Sequence, residues 1–298
     1  MGDKGAPGVG STVGAMSSSH PPTLRQRRLG AELRKLRERA GLSSTAAAAR
    51  FGFQQARMSM IEAGRHAVSA DRVRAMARAY SCGDDKLTDA LADMTGGRTR
   101  GWWDEYREHL PAGLADLAEL EHHAHGLRVA LVIHIPGLLQ TVDHARSVIQ
   151  AAVPPMRAYE VEHRLSHRMK RQGILHRDNP VRYSAVIHEA ALRMRFGGTE
   201  TVRAQLRHLV EMSELENVTI RVIPFTVGAF TGAGTSSDYV YGAVPELDTV
   251  QLDVAHGCQF LDAEAQLAKY RAILDVMEAT ALNPAESRDF IHGLVRTI

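Results

Sequence analysis

The sequence predicts an α+β protein: an all-α domain of five short helices, followed by an α+β domain built on a mixed sheet. Three observations lead there. The apolar spacing is helical up to about residue 94 and turns partly to short β-branched or aromatic runs beyond residue 125. Net charge is only +2 over 298 residues, but Leu24–Tyr80 holds 13 Lys/Arg against 4 Asp/Glu, while residues 101–298 hold 19 against 25. Length and a hydrophobic content of 44% allow two separate cores. The expected division is a Gly/Ser/Pro-rich leader over 1–22, a helical domain over 23–94, a linker over 95–101 ("TGGRTRG") and the second domain over 102–298.

Within the helical domain, Leu29, Leu33, Leu36 and Ala40 share a face, and Gly41 ends the first helix. Ser43 caps a short alanine-rich helix that stops near Phe51, and Gly52 provides a tight turn. A third helix runs from about Gln54 to Ala63 and stops at Gly64. Ser69 caps a fourth, with Val73, Met76, Ala77 and Tyr80 inward. A fifth buries Leu87, Ala90, Leu91 and Met94. The two-residue break between the second and third helices describes a helix-turn-helix.

Beyond the linker, "WWDEYREHL" opens a helix that continues as "PAGLADLAELEHHAHG". The runs "RVALVIHI", "VRYSAVIH", "VTIRVIPF", "SDYVYGAV" and "TVQLDVA" read as strands. Helical stretches at Leu138–Ala152, Met156–Leu175, Glu200–Leu215 and Ala263–Leu282 lie between or after them. Strands joined partly by helices and partly by short turns give the mixed sheet.

Composition excludes several classes. No apolar run spans a membrane, and Cys82 and Cys258 are too few and too far apart for a disulfide framework or a cysteine zinc site. "GAPGVG" has no preceding strand and no following helix, and no G-x-S-x-G, H-E-x-x-H or Walker loop occurs. No enzyme and no cofactor is therefore expected. Glu121, His122 and His125, or His163 with His167, could hold a metal through one helix face, but neither set has a third partner that can be placed. They read as exposed histidines on a solvated face, and no metal is expected. "GAFTGAGTSSDY" joins two strands and reads as the rim of a pocket or interface. One of Trp102 and Trp103 is expected to anchor the two domains together.

The basic block "LGAELRKLRERAGLSSTAAAARFGFQQARMSMIEAGR" resembles the Xre/Cro-type helix-turn-helix of phage repressors over about 55 residues, ending in the motif Ser59, Ile61, Glu62, Gly64, Arg65. The resemblance implies that the third helix enters the major groove of double-stranded DNA. Met58 and Ile61 would then face the core. Gln55, Ala56, Arg57 and Met60 would face base edges: Arg57 suits guanine, Gln55 adenine and Ala56 a thymine methyl. Ser44 stands where the family has a phosphate-binding Gln. Arg27, Arg28, Arg34, Lys35, Ser44, Thr45 and Arg65 are the expected phosphate partners. Gln54 replaces the usual Ser/Thr cap of the reading helix. Arg37 and Glu62 are expected to pair and brace that helix. One such module covers only about 600–1,000 Å² of DNA, so a homodimer on an inverted repeat is expected.

The second domain, from Trp102 to about Ile291, is similar to the domain that follows the helix-turn-helix in actinobacterial WhiJ-like regulators (the DUF5753 type). The segments that carry the likeness are "WWDEYREHLP", "ELE", "IPGLLQT", "VEHRLSHRMKRQGIL", "VIHEAALRMRFGG", "LENVTIRVIPF" and "NPAESRDFI". That similarity implies a cytoplasmic, nucleoid-associated transcription regulator whose second domain takes a signal or a small partner protein encoded nearby. The alternative is an antitoxin-like protein that sequesters the partner and autoregulates its operon.

Overall fold

The computed structural model describes residues 21–95, 101–234, 236–255 and 257–298. The expected leader and linker lie almost wholly outside these residues.

The first domain contains α1 (Leu24–Arg39), α2 (Ser44–Arg50), α3 (Gln55–Glu62), α4 (Ala70–Ala79) and α5 (Asp85–Asp93). Each boundary has a local cause. Thr23 and Gln26 form a reciprocal capping box on α1. The side chains of Ser43, Ser69 and Asp84 cap α2, α4 and α5. Leu33, Met58, Val73, Met76 and Leu91 meet in the core and are fully buried.

Two glycines set how closely α1 and α3 approach. A Cβ at Gly30 would lie 2.5 Å from the Glu62 carbonyl oxygen and 2.6 Å from that of Ile61. Gly64 has φ +70°, and a Cβ there would lie 2.7 Å from the Gln26 backbone.

The second domain opens with a 3-10 turn at Trp102–Tyr106, not with a continuous helix; Pro111 precedes a separate α6 (Ala112–His122). There follow β1 (Gly126–Leu131), α7 (Val142–Gln150), α8 (Ala158–Arg171), β2 (Arg182–His188), α9 (Glu189–Arg193), α10 (Thr199–Met212) and β3 (Val218–Ile223). Then come β4 (Ser237–Tyr241), β5 (Thr249–Val254), β6 (Gly257–Leu261), α11 (Glu264–Thr280) and α12 (Pro284–Thr297). The sheet has the order β3-β2-β1-β4-β5-β6. β1, β2 and β3 are parallel and joined through helices, whereas β4, β5 and β6 run antiparallel to their neighbours. One face packs Leu127, Ala185, Ile187 and Val222 with Leu206, Leu209 and Ile291 of α10 and α12. The other packs Ala130, Val186, Tyr239 and Val250 under Leu267, Leu274 and Met277 of α11.

Elements outside the expected set are β6, α9 and α12. "GCQFL" lacks an apolar alternation because most of it is only half-buried at the sheet edge. The helix expected over Leu138–Ala152 is broken into a 3-10 turn (Gly137–Leu139) and α7, with Thr141 as the new cap. Buried Gln205 holds that break: its Oε1 accepts from the Thr141 N–H at 2.8 Å, and its Nε2 donates to the Leu139 carbonyl at 2.7 Å.

The domains meet along α1. Arg27 donates to Asp116 of α6 at 3.0 Å. Arg28 is buried, contacts Asp262, and donates to the carbonyls of Glu246 and Asp248. Val244 and Leu247, from the β4–β5 connection, join the apolar core of the first domain. The tryptophans do not make this seam. Trp103 is buried beside His122 at 4.8 Å, and Trp102 lies 5.5 Å from His167, so both pack within the second domain.

Candidate nucleic-acid interface

α3 divides cleanly by exposure. Met58 and Ile61 are buried, whereas Gln55, Ala56, Arg57, Ser59 and Met60 are exposed in the full chain. These five residues are thus offered outward from a helix seated by Met58 and Ile61.

The seat is electrostatic as well as apolar. Arg37 Nε donates to Glu62 at 2.6 Å, and its Nη2 donates to the other carboxylate oxygen at 3.0 Å. Arg37 Nη1 also donates to the Leu42 carbonyl at 2.6 Å. Both side chains are buried, at 7% and 8% exposure. This bidentate pair ties α1 to α3 and to the turn after α1. The hydrogen bond to Glu62 raises the Arg37 pKa above its ordinary value, against the burial that lowers it.

The amino end of α3 has its own arrangement. Gln54 contributes no side-chain cap; its carbonyl accepts from the Arg57 and Met58 N–H groups at 3.0 and 3.3 Å, and the N–H groups of Gln55 and Ala56 stay without a side-chain acceptor from it. Gln55 Nε2 donates to Ser59 at 2.9 Å and to Ser44 at 3.2 Å, linking α3 to the start of α2. Ser44 is half-buried by that contact, and Thr45 beside it is exposed. The Arg57 guanidinium stands 4.5 Å from the centre of the Phe53 ring, and that of Arg72 stands 5.0 Å from the same ring. One aromatic side chain therefore holds two cations at the mouth of the turn. Phe53 and Arg72 were not singled out in the sequence. The available signal was an aromatic residue just before α3 and an arginine in the first turn of α4.

At the other end, Arg65 is exposed just past the left-handed Gly64, and its N–H closes α3 by donating to the Met60 carbonyl at 2.8 Å. Arg34 is exposed and pairs with Glu38 at 2.7 Å, and Lys35 pairs with Glu32 at 2.7 Å. The first is a surface pair that a phosphate can exchange into; the second reaches back to Glu32, which is buried and also faces Arg28. Arg28 is not available in this way, because protein carbonyls and Asp262 already surround its buried guanidinium. Arg27, partly exposed, is turned to Asp116. The expectation that these two meet phosphate is corrected: their positive charge is met by the acidic second domain.

The histidine sets in the second domain do not converge. Both carboxylate oxygens of Glu121 accept from Arg171, at 2.7 and 2.6 Å. His163 stacks on His109 at 4.4 Å. His167 is 1% exposed, so it is a core residue and not part of a solvated face. Burial, with Arg171 and Arg168 nearby, pushes its pKa down to about 3. Among the described residues no three His, Cys, Asp or Glu side chains come together to hold a metal, and no helix is long and apolar enough to cross a membrane.

Two families match the chain. Residues 28–91 match a family described as "Helix-turn-helix domain", and residues 114–293 match one described as "Domain of unknown function (DUF5753)". No curated protein and no solved structure matches the chain.

Proposed function

The chain belongs to the DUF5753 family, and because a helix-turn-helix domain precedes that domain we propose that it is a sequence-specific transcription regulator whose second domain receives a protein partner or a small-molecule signal. One observation carries this reading: Gln55, Ala56, Arg57 and Met60 stay exposed on α3 in the full chain while a buried ion pair fixes the helix from behind. Arg57 pairs with guanine and Gln55 with adenine, once Gln55 releases its serines. Arg34, Lys35, Thr45, Arg65 and Arg72 meet phosphates around them. The proposal extends to an Xre/Cro-type homodimer on an inverted repeat, acting in the cytoplasm at the nucleoid, within the actinobacterial WhiJ-like group. It assigns the chain no reaction.

An antitoxin-like role, sequestering a small partner protein, is the second reading. It is favoured by Ile133, Met194 and Phe225, large apolar side chains that are exposed in the loops after β1, α9 and β3. Footprinting of the DNA upstream of the chain's own gene, at stated salt, tests the first reading. Two protected half-sites about one helical turn apart, lost with Arg57→Ala, are expected. A uniform, sequence-independent protection would sink it.

A further inference from the structure

A cavity of about 700 Å³ lies at the seam between the domains. That volume is in the range of small-molecule sites, roughly 300–1,000 Å³. Its wall is shared: Arg25 and Met94 come from the first domain, and Glu119, His123, Tyr241 and Phe260 from the second.

Of the other charged groups at its edge, Arg27 is engaged with Asp116 and Arg28 with Asp262, and Asp93 lines the space beside Arg25. Arg25, Glu119, His123 and His125 line the space with it. Arg25 spends only Nη2, which donates to the Asp93 carbonyl at 3.0 Å. Glu119 Oε2 is buried without a hydrogen bond among the described residues, its nearest cation being Arg107 Nη2 at 3.7 Å. Burial raises the Glu119 pKa, opposed first by the Thr23 hydroxyl and then by Arg107 and Arg25. His123 is held neutral, its pKa pushed down to about 4 by burial and by Arg25. The space thus offers aromatic and apolar walls, the free edge of the Arg25 guanidinium, the carboxyls of Glu119 and Asp93, and the imidazoles of His123 and His125.

We propose that this interdomain cavity is the signal site, and that it takes a drug-sized, ring-bearing organic molecule with a hydrogen-bond donor for Glu119 and an anionic or carbonyl acceptor for Arg25. The proposal rests on the regulatory reading above and gives that reading a place. A molecule in the cavity touches α1 on one side and α6 on the other. α1 also seats the reading helix, through Gly30 and Arg37. Occupancy therefore changes how α1 is held, and ligand and DNA affinities become linked in both directions.

The probe is 8-anilinonaphthalene-1-sulfonate, whose fused ring, anilino N–H and sulfonate match the three features. The full chain is titrated with it, followed by emission. Saturable, blue-shifted binding at one equivalent is expected. Ala243→Trp, which fills the cavity from an exposed position on its wall, and Arg25→Ala are each expected to weaken binding by about tenfold or more. Near-UV circular dichroism confirms that each variant is folded, and Glu119→Gln is the milder third variant. At saturating probe, affinity for the footprinted DNA is expected to change by about fivefold or more. Absence of saturable binding, or binding equally strong in the variants, overturns the cavity assignment while leaving the DNA-binding reading standing. Saturable binding with unchanged DNA affinity overturns the signal role. Failure to protect any DNA, with the probe site intact, overturns the regulatory reading and the signal role together.

Discussion

Arg37 and Arg28 are both buried arginines on α1, nine residues apart, and they do opposite work. Arg37 faces inward to α3 and makes a bidentate pair with Glu62 inside the first domain. Arg28 faces the second domain and is held by Asp262 and by the backbone of the β4–β5 connection. One face of α1 positions the DNA-reading helix, and the other positions the whole domain. The difference teaches that a basic cluster on a helix is not one functional unit. Each cation goes where the nearest uncompensated acceptor stands, and at Arg28 that acceptor is protein.

The largest expected effect breaks this comparison at Arg37. Arg37→Ala leaves Glu62 buried without its cation, at a cost of about 3–5 kcal/mol. Chemical denaturation read by circular dichroism is expected to show that loss, with DNA binding abolished because α3 is no longer seated. Arg28→Ala is expected to cost about 1.5–3 kcal/mol, the range for hydrogen bonds to a charged group. Its signature is faster proteolytic cutting between the domains, with DNA contacts retained. Equal losses of DNA binding in the two variants would erase the distinction.

The comparison can be sharpened by pH, since buried neutral histidines lie in the second domain. His144 and His167 are each 1% exposed. Burial and nearby cationic groups lower their pKa values to about 4 and about 3, from 6.5. In the unfolded chain both bind a proton at a higher pH than in the folded chain. Between pH 6.5 and about 4 the unfolded state therefore holds more protons, and stability falls as pH falls. Each histidine contributes about 1.4 kcal/mol per pH unit through that window. His123, lowered to about 4, adds to this slope, while Asp238, which burial raises to about 7, opposes it; on balance thermal melts from pH 7 to 5 are expected to show the second domain losing stability. His144→Phe is expected to flatten the slope by one such contribution, about 1.4 kcal/mol per pH unit. A slope confined to the first domain would contradict the assignment.

The first domain was largely legible in the sequence because its signals are local. Apolar residues three and four apart, a Ser before each of α2 and α4, and glycines at 41, 52 and 64 mark the helices and their ends. The Arg37–Glu62 contact was legible only through family resemblance, since nothing local joins residues 25 apart. Gly30 was passed over, although a glycine in a helix interior costs about 1 kcal/mol and asks for a reason. That reason is the Glu62 carbonyl, 2.5 Å from where a Cβ would stand. In the second domain, β1 to β5 showed through their β-branched runs. β6 did not, because an edge strand that is half-exposed has no alternation to read. The seam was illegible for a more basic reason: charge specifies that a partner is needed, not which partner.

A smaller effect separates reading from seating. Arg57 is exposed and rests on Phe53, so Arg57→Ala removes the proposed base contact without opening the core. The expected loss is about 1–3 kcal/mol of DNA affinity, confined to the sequence-specific part. A mobility-shift assay against specific and random duplexes, with a denaturation curve alongside, reads both quantities. A comparable loss on random DNA would make Arg57 a phosphate contact instead.

The smallest expected effect lies one residue before α3. Gln54 stands at the cap position and makes no cap hydrogen bond, while Ser43 and Ser69 cap the neighbouring helices. Gln54→Ser provides the missing acceptor and is expected to stabilise the domain by about 0.5–1 kcal/mol. The same hydroxyl would occupy the first-turn N–H groups that an incoming phosphate uses at a helix amino end. If those groups meet DNA, added stability comes with weaker binding on all sequences, and the loss persists in random duplexes. If they do not, stability rises and affinity stays unchanged. The two outcomes decide whether the poor cap is a cost that α3 carries for its ligand or only an unoptimised turn.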